Sequence, residues 1–252
     1  MQRYNSVNYT WEHNPDGRYA YGATCVKACP GHLLKDSGAC VRSCPINKIP
    51  KNGECVPCEG ACPKRCPGVM NLVHSGNIET FRNCTVIDGS IRIIESTFKG
   101  YNEFFPNKTM SDFYPPLHPD QLEVFSNVKE ITGYLDIQAF HKDFKNLSYF
   151  RNLEVIHGRI LNEMHFAAFS VVQSSLESLH LKSLKRINSG TVLIQLNKNL
   201  CFVEGIDWKS IIKSSTPRIV IPPTNRKHEV CVAENKTCSG QCNYQGCWGI
   251  GS

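Results

Sequence analysis

The chain has 252 residues, a formal charge of +6 and an apolar fraction of 41%, enough to bury a core but spread too evenly for a nucleic-acid patch. Its densest basic stretch, Lys182, Lys185 and Arg186, alternates with Leu181 and Leu184 and reads as the wet side of a structured repeat. No run of eighteen apolar residues is present, so nothing is expected to span a membrane, and the first ten residues contain no apolar segment of a secretory signal.

Residues 4–22, YNSVNYTWEHNPDGRYAYG, place Tyr4, Tyr9, Trp11, Tyr19 and Tyr21 around Asn14-Pro15-Asp16-Gly17. The NPDG turn signal between alternating aromatics predicts a β-hairpin centred on it. Its rings either face a protein partner or pack on their own module.

Eight of the fourteen cysteines follow between Cys25 and Cys66, at spacings of two or three residues within each pair and with few large apolar residues between. Such a segment cannot fold by burial and needs crosslinks. Zinc is the rival reading, but the pairs lack a second pair at finger spacing, so disulfides are preferred and no metal or cofactor is expected. Five sequons, at Asn8, Asn83, Asn107, Asn146 and Asn235, agree with passage through the secretory pathway. With no leader at its start, the chain is expected to be an internal piece of a longer secreted or cell-surface protein.

Residues 85–200 carry no cysteine and contain a repeat. Phe81-Arg82-Asn83-Cys84-Thr85-Val86-Ile87-Asp88-Gly89 recurs as Phe150-Arg151-Asn152-Leu153-Glu154-Val155-Ile156-His157-Gly158, and related units occupy 128–137 and 184–194. The shared form is Leu/Val-x-x-Ile, a polar residue, Gly, then alternating Ile and Leu. Short strands with inward alternate residues, stacked in parallel, would make a solenoid. A leucine-rich horseshoe competes, but its repeat phrase is absent, so a mainly β, right-handed parallel β-helix is expected. It should carry an inserted loop at 101–116 and a few helices, best placed at 119–127 and 206–214. Five more cysteines, Cys201, Cys231, Cys238, Cys242 and Cys247, close the chain.

The sequence contains no Gly-x-Ser-x-Gly, no His-Glu-x-x-His and no phosphate-binding glycine loop. His141 and Asp143 lie close in sequence without a nucleophile. A secreted β-helix enzyme that cleaves carbohydrate remains an alternative, and would need several carboxylates on one face. The chain is therefore expected to be non-catalytic.

Four phrases carry a resemblance: Gly22-Ala23-Thr24-Cys25-Val26-Lys27, Val128-Lys129-Glu130-Ile131-Thr132-Gly133-Tyr134-Leu135, Asn197-Lys198-Asn199-Leu200-Cys201 and Gly246-Cys247-Trp248-Gly249. Together the chain resembles the ectodomain of the epidermal growth factor receptor family, most closely an arthropod member, over nearly its whole length. The resemblance implies that residues 1–66 end a first furin-like cysteine-rich domain, with a dimerisation arm at 4–22 in which Tyr4, Tyr9 and Tyr21 are the aromatic contacts. Residues 67–230 would be an L domain (domain III), and 231–252 would begin a second cysteine-rich domain. It implies disulfides Cys29–Cys40, Cys44–Cys55, Cys58–Cys62, Cys66–Cys84, Cys201–Cys231 and Cys238–Cys247, leaving Cys25 and Cys242 with partners outside the chain. It implies an EGF-like growth factor and a second receptor molecule as partners, with no nucleic acid and with membrane attachment only through a segment absent here. The location implied is the outer side of the plasma membrane, and the tyrosine kinase of such a receptor would lie elsewhere.

The ligand contacts carried over are Ser96, Tyr101, Glu103, Gln138, Phe166, Val171 and Leu193. The carboxylate that meets a ligand arginine falls at Glu103 or is replaced by Tyr101, and Phe166, Val171 and Leu193 form an apolar pocket or else pack inside. Trp248 would close the end of the core. The alternative within the binding class is an insulin-receptor-like L domain, which lacks the aromatic arm.

Overall fold

A computed structural model gives the architecture. The residues described are 2–14, 16–30, 33–42, 44–45, 47–59, 62–103, 112–163, 166–213, 218–239 and 246–249. The chain divides into two compact units, Met1–Pro63 and Lys64–Ser252.

In the first unit, β1 (Gln2–Asn5) and β2 (Thr10–His13) form an antiparallel pair. A six-stranded sheet follows, made by β3 (Tyr19–Tyr21), β4 (Thr24–Val26), β5 (Leu34–Asp36), β6 (Ala39–Val41), β7 (Lys48–Lys51) and β8 (Glu54–Pro57). Most of its residues remain at least partly exposed, and Leu33 and Cys55 are the buried apolar residues described there. Crosslinks replace the missing core: Cys29–Cys40, Cys44–Cys55 and Cys58–Cys62 are bonded.

The hairpin is not centred on Asn14–Gly17, a correction to the turn-signal reading. NPDG does turn, with Gly17 N–H donating to Asn14 O at 3.1 Å, but it leads from β2 to β3, and β3 pairs with β4 and β6 instead. The hairpin tip is Ser6–Tyr9. There Asn5 Oδ1 accepts from the backbone N–H of Val7 at 2.9 Å and of Asn8 at 3.4 Å, and Tyr9 takes φ +55°. An asparagine side chain standing in for a backbone turn closes the tip without glycine.

The second unit is built on two five-stranded parallel sheets. One contains β9 (Arg65–Pro67), β10 (Val86–Asp88), β14 (Glu130–Ile131), β16 (Val155–Ile156) and β18 (Arg186–Ile187), side by side in that order. The other contains β11 (Ile91–Ile94), β15 (Leu135–Gln138), β17 (Ala167–Val172), β19 (Thr191–Gln195) and β20 (Arg218–Val220). A separate antiparallel ribbon, β12 (Tyr101–Glu103) with β13 (Asp112–Tyr114), leaves the first coil. Each repeat unit supplies one strand to the first sheet, turns at its glycine, and supplies the next to the second sheet.

Register explains the repeat. Cys66, Ile87, Ile131, Ile156 and Ile187 stand opposite one another across the first sheet, and a parallel bridge adds Ile212. Ile93, Ile137, Val171 and Ile194 do the same across the second. All are buried, and each such aliphatic side chain contributes roughly 1.5–3 kcal/mol by leaving water. Phe81, Phe125 and Phe150 form a ring column with successive centroids 5.0 Å apart.

The turn from first to second strand is tight at Gly133. Its N–H donates to Gly89 O at 2.7 Å, and a Cβ there would meet Gly89 O at 2.8 Å and Ser90 Oγ at 2.2 Å. Only glycine fits that approach.

The stretch Pro119–Asn127 is a 3-10 helix, and Trp208–Ile211 forms a short helix, α2, after α1 (Glu95–Lys99). A last helix, α3 (His228–Ala233), carries Cys231 to Cys201. Cys66–Cys84 and Cys238–Cys247 are also bonded. Trp248 packs against the core with its ring edge-on to Trp208, centroids 5.6 Å apart. Cys25 is exposed and free, while Cys242 lies outside the described residues.

Candidate functional site

Strand alternation separates two faces of the second sheet. Ile93, Ile137, Val171 and Ile194 point into the core, so the residues between them point out. Arg92, Asp136, Ser170, Leu193 and Val220 make one outer row, and Ile94, Gln138, Val172 and Gln195 the next.

A polar network crosses the first three coils of this face. Asp136 is wholly buried, and its carboxylate accepts from Ser170 Oγ at 2.5 Å, from Gln138 Nε2 at 3.0 Å and from Arg92 Nε at 3.4 Å. Three donors satisfy a charge that would otherwise be too costly to bury. Arg92 also donates to the carbonyl of Asn71 at 3.2 Å. The Asn71 side chain then reaches Tyr101 Oη and Glu103 Oε1, both at 3.4 Å. His74 packs against the rings of Tyr101 and Tyr114, at 5.5 and 4.0 Å. Burial holds its imidazole below the ordinary value, with the Glu103 carboxylate acting in the opposite direction.

Of the residues carried over from the sequence, Tyr101, Glu103 and Gln138 are joined by this network. Tyr101 and Glu103 lie on the same strand two residues apart, so both side chains leave it on one side. Leu193 continues the row beside Ser170 but is only 4% exposed. Phe166 is 66% exposed at φ +51°, its N–H bonded to Asn162 O and its carbonyl to the N–H of Thr191. Ser96 lies in α1, half-buried. Its neighbour Glu95 accepts the backbone N–H of Phe140 at 3.0 Å.

Val171 is corrected. It has no exposed surface and belongs to the inward column with Ile137 and Ile194. Its pairing with Ile137 is unbroken from Phe169 onward, so strand alternation alone turns it inward. Val172 takes the outer place instead. Arg92, Asp136, Ser170 and Gln195 were also missed, although alternation counted backwards from the Ile and Leu of each repeat would have found the first three.

In the first unit, Tyr4, Tyr9 and Tyr21 are all exposed, as is Trp11. The rings of Tyr4 and Trp11 meet edge-on at 5.3 Å. Asn8 sits exposed at the hairpin tip beside Tyr9. Among the other sequons, Asn83 and Asn235 are exposed and both take positive φ. Asn146 is half-buried with its Oδ1 accepting from Ser148 N–H at 3.0 Å, and Asn107 lies outside the described residues.

Comparison with known proteins places these features. The model of the receptor L domain family matches residues 83–212, and that of the furin-like cysteine rich region matches residues 2–67. The chain is 58% identical over 252 residues to the epidermal growth factor receptor of Drosophila melanogaster, covering all of this chain and 18% of that protein. It is 57% identical to the epidermal growth factor receptor of Apis mellifera, over all of this chain and 19% of the relative. To the receptor tyrosine-protein kinase erbB-4 of Homo sapiens it is 38% identical, over 98% of this chain and 19% of the relative. The chain thus spans about a fifth of the length of these relatives.

Proposed function

This chain belongs to the epidermal growth factor receptor family, as a piece of its ectodomain, and we propose that it serves as the extracellular, growth-factor-binding part of a receptor tyrosine kinase. Residues 67–230 act as the L domain, wound as a right-handed parallel β-helix, between cysteine-rich modules at 1–66 and 231–252. Right-handed winding is the hand that nearly all parallel crossovers take. The piece itself is non-catalytic: the carboxylate of Asp136 is enclosed by its donors rather than offered to a substrate.

The observation that carries this reading is the composition of the outer face. It presents Gln138, Val172 and Gln195 in one row, with Phe166 exposed on the adjoining turn and Tyr101 and Glu103 at the end of the Arg92 network. A mixed face of this kind suits a folded protein ligand with apolar anchors and an arginine. Glu103 offers the carboxylate for a charge-assisted pair, Val172 between Gln138 and Gln195 offers one apolar contact, and Phe166, at the other end of β17, offers another. The first-unit hairpin, with Tyr4 and Tyr9 exposed, serves together with the exposed Tyr21 of β3 as the contact to a second receptor molecule.

In a chain carrying both ligand-binding L domains, Glu103→Arg is expected to weaken binding of an EGF-like growth factor at least tenfold, measured by calorimetric titration. Unchanged affinity would remove Glu103 from the site. The present chain alone should bind the same ligand far more weakly than the two-domain form, because bridging two sites adds avidity without new contacts. Equal affinities would sink the bridging account.

A further inference from the structure

One cluster in the second unit has no part in the outer-face network. His118 stands at the start of the 3-10 helix Pro119–Asn127, and His141 and Asp143 lie in the turn after β15. Their ligand-capable atoms all lie within 4.8 Å of one another.

We propose that His118, His141 and Asp143 form a binding site for a divalent transition-metal ion, zinc by the chemistry of its donors. Two imidazoles and one carboxylate are a donor set that suits zinc, and such a set leaves a fourth tetrahedral position to water or to another molecule's side chain.

The spacing favours an ion over simple pairing. His118 Nε2 lies 3.4 Å from Asp143 Oδ2, and His141 Nδ1 lies 3.8 Å from the same oxygen. Both exceed the usual 2.7–3.2 Å of a hydrogen bond. Ligands on bonds of about 2.0–2.1 Å around a tetrahedral zinc sit roughly 3.3–3.4 Å apart. The His118–Asp143 distance is already that edge, and the second needs a shift of a few tenths of an ångström, with His141 Nδ1 giving up the Asp143 N–H that it accepts at 3.2 Å.

The surroundings hold the set in place. His118 presents its other nitrogen, Nδ1, to the carboxylate of Asp120 at 3.2 Å. The same Nδ1 accepts the Asp120 N–H at 3.4 Å as the cap of the 3-10 helix; with the proton on Nδ1 and shared with the Asp120 carboxylate, the usual outer partner of a zinc-bound histidine, Nε2 is the nitrogen left for metal. The His141 turn is pinned by Ser175, whose Oγ accepts from His141 N–H at 3.2 Å and lies 2.9 and 2.7 Å from the carbonyls of His141 and Phe144. Leu117 and Phe144, next to the ligands on each strand of chain, are buried. The Phe98 ring lies 5.4 Å from that of His141. An occupied site would tie the entry of the 3-10 helix to the turn that begins three residues after Gln138, and so stiffen one end of the outer face.

Zinc chloride titrated calorimetrically into the intact chain, after alkylation of free thiols, is expected to show one saturable equivalent. His118→Gln and Asp143→Asn should each weaken that binding at least a hundredfold. Asp120→Asn, a positioning residue, should weaken it ten- to a hundredfold with the stoichiometry kept. Circular dichroism confirms that each variant remains folded, which their exposed positions favour. Cobalt(II) in place of zinc should give the intense visible bands of a tetrahedral centre in the parent and lose them in His141→Gln. No saturable equivalent in the parent, or an equivalent whose affinity survives both His118→Gln and Asp143→Asn, overturns the proposal.

Discussion

Asn197 has no exposed surface, and its side chain reaches several neighbours at once. Oδ1 accepts from Ser174 N–H and Oγ at 2.9 and 2.8 Å, and Nδ2 donates to the carbonyls of Val171 and Gln195, both at 2.9 Å. Nδ2 also meets Asn225 Oδ1 at 3.0 Å, and Asn225 in turn donates to Ile194 O. One amide thus satisfies backbone groups at the ends of β17 and β19, where the strands stop supplying partners. Asn197→Ala leaves those groups buried without a bond, at about 3 kcal/mol in total. Urea unfolding checks it, and a change under about 1 kcal/mol would mean that water takes the side chain's place. Asn197 stood in a phrase that carried the family resemblance, yet nothing in single-sequence periodicity marks an asparagine as buried. Its role is set by contacts to coils that lie 23 to 28 residues away.

At the scale of elements, β14 and β16 are joined on their polar side by Glu130 and His157, with Nε2 2.9 Å from the carboxylate. The His157 hydrogen bond holds the Glu130 carboxyl below its usual range, against burial, which pushes it up. A carboxyl depressed by folding stabilises the native state above its ordinary pKa of about 4.3, and that contribution is lost as pH falls through the folded value. The stability difference between the parent and Glu130→Gln should therefore shrink on acidification below about pH 4.3. Melting temperatures across that range measure it, and a constant difference would remove Glu130 as its source. The parallel elements around this pair were legible because their signal is local: Leu/Val-x-x-Ile before a glycine marks β14, β16 and β18, with Cys84 in the first place for β10, and the alternation after it marks the strands of the second sheet. What escaped were features decided by one residue. Val171, carried over from the resemblance, is set inward by its register with Ile137 and Ile194. The Asn5 side chain set the hairpin tip four residues before the glycine-bearing turn that looked stronger.

At the scale of the whole molecule, the six disulfides among the described residues respect the division into two units. Three close within Met1–Pro63 and three within Lys64–Ser252. The second unit also holds the continuous apolar core. Residues 64–252 expressed alone are therefore expected to fold and to melt cooperatively within a few degrees of the intact chain. A non-cooperative melt would show that the first unit is needed for the second to form. Placing that cut required the pairings, since cysteine spacing alone gives no partner. The glycine turn carries a consequence for how such a chain can change. Gly89, Gly133, Gly158 and Gly190 lie 44, 25 and 32 residues apart, yet Gly133 and Gly158 each donate a backbone hydrogen bond to the glycine one coil before. One edge of the stack is thus a fixed pitch, and every difference in coil length is absorbed elsewhere, as at the ribbon of β12 and β13. Insertions there can reshape what the outer face meets without disturbing the step from coil to coil.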